Sequence, residues 1–370
     1  MRFLHLSDLH LGKRINEISL LEDQRYILGQ ITEYIRKNRL DAVVIAGDIY
    51  DKSVPSSEAM SIYSGFVEEL SDMKVPVLII SGNHDSAERL SYFGDLMKKH
   101  GIYLGTDISS SLRPVTLTDE YGEVDFYLLP FLRPSDVNNA LETECGTYTE
   151  AVAEVIKRMR PDESKRNVMV SHQYVAGASV CDSEILVGGI ECIDVSVYEA
   201  FDYTALGHLH TPQNVGSDRI RYCGTPLKYS LSEAVSSKSM TVVTLGAKGD
   251  VSVETVPLIP LRDMRRIRGS FDELMKGVPT DDYIYAELTD ENDVPFAGTE
   301  LRTVYKNFIS ATYTRFGSYG YFEGSADFAP SEEKTPQQIF TEFFRSQHGN
   351  KDMSDVQLEI LRQAIEKAWG

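Results

Sequence analysis

Seven side chains of the kinds that hold divalent cations fall in five short clusters: Asp8 with His10, Asp48, Asn83, His172, and His208 with His210. The leading cluster lies in the stretch 41–51, DAVVIAGDIYD, where an apolar run ends in Gly-Asp and a second carboxylate, Asp51, follows three residues later. Ala42-Val43-Val44-Ile45 is apolar on both faces, the pattern of a central strand in a covered sheet. Asp48 then falls just past a strand end, where ligands sit in open α/β sheets. We read it as the carboxylate shared by two metal ions, with the other clusters supplying the remaining ligands.

Asp8 and His10 follow the alternating run Arg2 to Leu6. Residues i and i+2 of an extended segment point the same way, about 6–7 Å apart, so the pair could grasp one ion. Alone, this D-x-H is equally a polar turn after a strand. His208 and His210 repeat the device at the end of FDYTALGHLH, and packing alone explains two such imidazoles poorly. Ser81-Gly82-Asn83-His84-Asp85 is the most specific short signal. Its Asn offers a neutral carbonyl oxygen, which suits a site needing a ligand without further negative charge. A capping Asn before a surface His is the plainer alternative. His172 ends the apolar run from Asn167, and by itself a satisfied polar role fits it as well.

Apolar periodicity predicts the elements that must position these groups. Helices are expected over Ser19–Lys37, Ser56–Leu70, Ser86–His100 and Thr147–Arg160. Strands are expected at Val77–Ser81 and Ile102–Leu104, and a hairpin of Val115–Leu117 with Asp125–Leu129 opens a second sheet. Ile220–Cys223, Met240–Leu245 and Val251–Val256 are expected as further strands, and Pro257 and Pro260 close the core domain near residue 258.

Length and composition bound the rest. At 370 residues the chain exceeds one typical core, so a large domain with a smaller one is expected. No run approaches the roughly 20 apolar residues of a bilayer span, and the chain enters a strand at once, which points to the cytoplasm and no membrane role. Cys145, Cys181, Cys192 and Cys223 form no C-x-x-C pair, which fits a reducing compartment and offers no zinc site. The net charge of -19 argues against a polyanion partner. Local charge differs: Asp8 and Asp48 bring two negative charges and two divalent cations four positive, so an occupied site carries about two positive charges and attracts phosphate.

Taken together, D-x-H, G-D, G-N-H-D, V-S-H and G-H-x-H, in that order, resemble the five-motif signature of the calcineurin-like metallophosphoesterases. The stretches 129–134 (LPFLRP), 188–191 (GGIE), 205–213 (ALGHLHTPQ) and 222–230 (YCGTPLKYS) narrow the resemblance to bacterial DNA nuclease subunits of that family that work with a coiled-coil ATPase. The resemblance implies an α/β fold, with a metallophosphoesterase core of two packed β-sheets flanked by helices over 1–258. A small α+β capping domain over 259–330 and C-terminal helices over 331–370 would follow.

It further implies Asp8, His10, Asp48 and His210 on one ion, and Asp48, Asn83, His172 and His208 on the other. The ions would be two Mn²⁺, with Mg²⁺ a possible substitute, and His84 would act on the transition state or leaving oxygen. Asp51, at the spacing seen in related phosphoprotein phosphatases, is expected to hydrogen-bond His84 and fix its ring. The implied activity is hydrolysis of DNA phosphodiesters as a double-strand exonuclease and a single-strand and hairpin endonuclease. The implied partners are DNA, the ATPase and a second copy of this chain in a 2:2 complex. The same metal centre serves many esters, so a phosphatase or small-molecule phosphodiesterase is the alternative.

Beyond residue 260, Arg262, Arg265, Arg266 and Arg268 form the one dense basic stretch, readable as a DNA contact or as a solvated linker. A short helix is expected over Phe271–Lys276, a strand over Tyr283–Leu288 and a helix over Glu300–Phe308. Ile339, Phe340, Phe343 and Phe344 share one face of a helix over Thr335–Gln347, and Leu358, Leu361, Ile365 and Trp369 one over Ser354–Trp369. The pattern fits packing against the capping domain equally well, and the resemblance favours docking of both on the coiled-coil base of the ATPase.

Overall fold

The structure is a computed structural model that describes residues 1–180, 192–314 and scattered positions between 340 and 365. The stretch 188–191 and the expected face residues Ile339, Phe343 and Trp369 lie outside the described residues. Two compact units divide the chain, Met1–Asp263 and Met264–Gly370.

In the first unit the chain runs β1 (Arg2–Leu6), a short ribbon β2 (Arg14–Ile15) and β3 (Ile18–Ser19), α1 (Leu21–Asn38), β4 (Ala42–Ala46), α2 (Ser57–Asp72) and β5 (Val77–Ile80). It continues through α3 (Ala87–Leu90), α4 (Gly94–Lys99), β6 (Ile102–Gly105), α5 (Ile108–Ser111), the hairpin β7 (Val115–Asp119) and β8 (Gly122–Leu129), α6 (Pro134–Leu141) and α7 (Tyr148–Met159). Strands β9 (Arg166–Ser171), β10 (Tyr203–Leu206), β11 (Gln213–Val215), β12 (Ser217–Tyr222), β13 (Ser239–Leu245) and β14 (Val251–Pro257) complete it.

Two six-stranded sheets result, in the orders β14-β13-β1-β4-β5-β6 and β11-β12-β10-β9-β8-β7. In the first, β1, β4, β5 and the edge strand β6 run parallel, and in the second β8, β9, β10 and β12 do. Strands β4 and β5 are buried along their whole length, which is why they are apolar on both faces. Phe3, Val44, Ile80, Phe126, Val170, Tyr203 and Val243 lie in the apolar layer between the sheets. Burying each such side chain contributes roughly 1.5–3 kcal/mol. On the outer face of the second sheet, α7 buries Val152, Val155 and Met159 in the same cluster as Met169 and Tyr222. Because the central strands are parallel, the segments leaving β1, β4 and β5 emerge at one edge, as do those leaving β9 and β10.

Two expectations are corrected. Ser86–His100 is two short helices, because Phe93 adopts a left-handed conformation (φ 62°) and Ser91 ends the first after a single turn. The helix expected over Glu300–Phe308 is α9 (Ala297–Val304), and the β-branched and aromatic run Asn307–Tyr313 that follows is a strand. In the second unit β15 (Met264–Gly269), α8 (Phe271–Met275), β16 (Tyr283–Leu288), α9 and β17 (Asn307–Tyr313) alternate, and the three strands pair in parallel over a core with Leu274, Ile284, Leu301 and Phe308.

Candidate metal centre

All seven expected ligands come from loops at the C-terminal ends of parallel strands: Asp8 and His10 after β1, Asp48 after β4, Asn83 after β5, His172 after β9, and His208 and His210 after β10. Ligand atoms of Asp8, His10 and His210 lie within 4.8 Å of one another, and so do those of Asp8, Asp48 and His172 and those of His10, Asp48 and His84. The Asn83 side-chain oxygen stands 3.1 Å from His172 Nε2 and 3.0 Å from His208 Nδ1, which joins the remaining two imidazoles to the group. His84, which the resemblance leaves off the metals, also stands within reach of them.

The residues meet by a different route from the one their spacing suggests. Strand β1 stops at Leu6, and Asp8 and His10 are not extended but left-handed, with φ 53° and 42°. The reason is a ladder between loops: the N–H groups of Asp8, His10 and Leu11 donate to the carbonyls of Gly47, Asp48 and Ile49 at 3.0, 3.0 and 2.9 Å. Asp48 (φ 51°) and His208 (φ 100°) are left-handed too. Such conformations cost about 1–3 kcal/mol each in non-glycine residues and persist only where surrounding bonds over-determine them. The glycines ahead of the ligands serve close approach. A Cβ on Gly82 would stand 2.1 Å from the Asp48 carboxylate, and one on Gly207 would stand 1.9 Å from the Ala46 carbonyl.

Asp85, which sequence reading passed over, ties two of these loops together. Its half-buried carboxylate accepts from the N–H groups of Ile49, Tyr50 and Gly82 at 3.1, 3.0 and 3.0 Å, locking the Asp48 loop to the Asn83 loop. The final D of G-N-H-D was the available signal. Burial, helped by the nearby Asp48 charge, lifts its pKa to about 6 despite those donors.

Asp51 does not play its expected part. Its side chain pairs with Lys13 Nζ at 2.8 Å and stands 3.9 Å from His10 Nδ1. His84 Nδ1 instead donates to the Asp51 backbone carbonyl at 3.0 Å, while the His84 N–H donates to Asp48 Oδ1 at 2.9 Å. The chain orients the ring through its main chain because the Asp51 carboxylate is held by the lysine. Any residue at 51 could supply that carbonyl.

Electrostatics point to cations. Burial pushes Asp8 up to about 6, holds His208 down to about 3 and keeps His10 well below an ordinary imidazole. Burial also opposes charge on His172, yet the carboxylates of Asp48 and Asp8 outweigh it and raise it to about 9. Asp48 is held well below the usual carboxylate range, its burial outweighed by that same imidazole. Imidazoles crowd as well: His10 Nε2 and His210 Nε2 are 3.2 Å apart, and the buried His10 Nδ1 has no hydrogen-bond partner. Oxygen and imidazole donors that crowd together with no thiolate among them suit divalent cations of intermediate hardness.

A sequence profile of the calcineurin-like phosphoesterases matches residues 1–212, and a profile described as the type 5 capsule protein repressor C-terminal domain matches 260–348. The chain belongs to the calcineurin-like phosphoesterase family, and it binds divalent metal. It is 32% identical over 376 residues to the SbcD component of the SbcCD nuclease from Staphylococcus epidermidis, a match covering 99% of this chain and 98% of that one. Among solved structures, a dimetal phosphatase from Danio rerio is 13% identical with a TM-score of 0.41, covering 70% of this chain and 96% of that one.

Proposed function

We propose that this chain is the nuclease component of an SbcCD-type complex, hydrolysing DNA phosphodiesters with two Mn²⁺ ions, or with Mg²⁺ as a substitute. Its roles are double-strand exonuclease and single-strand and hairpin endonuclease, in repair, recombination and replication. The observation that carries this reading is the near full-length match to a nuclease component, joined to a pocket in which seven metal-compatible side chains converge. The residues divide as Asp8, His10, Asp48 and His210 for one ion and Asp48, Asn83, His172 and His208 for the other.

When bound, such an ion pair supplies Lewis acidity toward the scissile phosphate and toward water. The chain's own groups do the rest. Asp48, between the two donor sets, holds them in one electrostatic unit. His84 keeps a proton on Nδ1, because the Asp51 carbonyl can only accept there, so Nε2 is the nitrogen that would face the departing sugar oxygen, and in the imidazolium form it would give that oxygen its second proton. Such proton transfer is typically worth about 10²–10⁴ in rate.

The partners follow the same reading: DNA, an SbcC-type ATPase in the cytoplasm, and a second copy of this chain in a 2:2 complex. In support of self-association, Met60 on α2 and Tyr92, Phe93 and Leu96 around α3 and α4 are exposed. The helices within 331–370 are assigned to the ATPase, and removal of 335–370 should abolish its co-purification while sparing hydrolysis by the isolated nuclease chain. No helix among the described residues is long and apolar enough to cross a membrane. The deciding experiment is a manganese-dependent assay on plasmid, single-stranded DNA and p-nitrophenyl phosphate esters. Turnover of the small esters with neither DNA cleaved would replace this reading with the phosphatase alternative.

A further inference from the structure

The stretch 222–230 stood out in the sequence, and the hydrolytic mechanism leaves it without a role. It leaves β12 and runs behind His210. Just after it in the chain, and bonded to it, is a buried ion pair, Glu233 with Lys238, only 1% and 5% exposed. Two buried charges are costly to desolvate, and such pairs are weak evidence for stability. Their surroundings give them another use.

Lys238 Nζ spends all three of its donors, on the Glu233 carboxylate, on Thr225 Oγ1 at 2.7 Å and on the His210 carbonyl at 2.9 Å. That carbonyl also accepts from the Thr225 N–H at 3.1 Å. Glu233 in turn accepts from the Ser230 hydroxyl at 2.9 Å and the Tyr229 N–H at 3.2 Å, and its carboxylate faces His210 Nδ1 at 3.6 Å. His210 is thus gripped at two points, its main chain by the lysine and the rear edge of its ring by the glutamate. A carboxylate behind Nδ1 favours the tautomer with its proton there, leaving Nε2, the atom beside His10, as the donor. The same stretch reaches the neighbouring ligand: Tyr229 Oη donates to the Leu9 carbonyl, and Gln24 Nε2 bonds Tyr229 Oη at 3.2 Å and the His10 carbonyl at 2.7 Å.

We propose that Glu233 and Lys238 are positioning residues for one half of the metal centre, setting the affinity of the ion held by Asp8, His10 and His210 and not that of its neighbour. This rests on the two-ion reading above. Metal-free Glu233→Gln and Lys238→Met proteins are titrated with Mn²⁺ by calorimetry and by electron paramagnetic resonance. One of two sites weakens about 10–100-fold, as when an outer partner of a metal-bound histidine is removed, and the other keeps its wild-type affinity. In a His210→Ala background, Glu233→Gln adds no further loss, since both act through one ligand. Glu233→Asp recovers part of the affinity. If Glu233→Gln does not fold, Ser230→Ala, which removes one donor to the same carboxylate, shows a smaller loss at the same single site.

Equal weakening of both sites, unchanged affinity, or a loss fully additive with His210→Ala would overturn the proposal. Wild-type protein that binds no Mn²⁺ sinks the two-ion reading along with it, whereas two intact sites in every variant sink this proposal alone.

Discussion

The metal pocket and strand β15 are both dense in charge, and they treat it in opposite ways. In the pocket, Asp8, His10 and Asp48 are buried on a strained backbone beside the buried His172, with nitrogen facing nitrogen and carboxylate near carboxylate. On β15 the arginines are exposed, and Arg265 and Arg266 pair with Asp282 and Glu287 of their own unit at 3.1 and 3.0 Å. Arg262, just ahead of the strand, pairs with Glu22 and Asp23. Charge that is resolved internally is structural, while charge that stays unresolved at a cost in strain marks a place built for something brought from outside.

Breaking the pocket at its shared carboxylate gives the largest effect. Asp48→Asn removes one charge from both donor sets, and Mn²⁺ affinity measured by calorimetry falls by more than the roughly 10–100-fold that an outer partner costs. His84→Gln comes next and separates chemistry from binding: two ions still load, and turnover drops about 10²–10⁴-fold. Loss of manganese from the His84 variant would make this residue a ligand, as its distance to His10 and Asp48 permits.

Why some of this was legible in sequence is physical. Central parallel strands are buried on both faces, so β4 and β5 announce themselves as apolar runs, and their loops carry the expected ligands at once. Spacing could not show how those loops meet. The left-handed turns at Asp8 and His10 arise from hydrogen bonds to a segment some forty residues away, which an i, i+2 argument cannot contain. Asp51 misled for a related reason: a carboxylate at the right spacing was taken for the functional atom, where the main-chain oxygen of the same residue does the bonding. Asp85 stood in the motif, but its role lies in backbone N–H groups that no spacing shows, and Glu233 and Lys238 were invisible because their partners are brought to them only by folding. On β15 the arginines looked free only because Asp282 and Glu287 belong to a neighbouring strand and its approach.

Asp85 sharpens the comparison from the structural side of the pocket. Asp85→Ala leaves three N–H groups without their acceptor, and each buried orphan costs about 1–3 kcal/mol. Denaturant unfolding without metal should show a loss of at least that size for one group. Loss of metal affinity at unchanged stability would make Asp85 part of the centre itself.

A resolved pair away from the pocket gives a smaller, pH-dependent effect. Arg166, reaching Asp119 Oδ2 at 3.0 Å, holds that carboxyl well below its ordinary value of 3.8. A depressed folded-state pKa contributes stability above the unfolded value, and that stability is lost as pH falls through the folded one. The stability gap between wild type and Asp119→Asn should therefore be full at pH 7 and shrink below about pH 4. A gap that persists unchanged at pH 3 would show that the carboxylate's charge is not what matters.

The smallest effect is expected where charge is most conspicuous. Exposed ion pairs such as those of Arg265 and Arg266 are worth about 0–1 kcal/mol, so replacing both with Ala should shift denaturant unfolding of the full chain by no more than that for each. DNA affinity should likewise hold, because their guanidinium groups are already committed to acids of their own unit. A true phosphate contact behaves otherwise: its loss weakens binding to every sequence alike and flattens the salt dependence of the logarithm of affinity by about one per residue. Binding isotherms of wild type and double variant at several salt concentrations thus decide the matter. A flatter slope would mean that DNA displaces these acids, and that resolved charge on β15 is a reserve the polyanion can draw out.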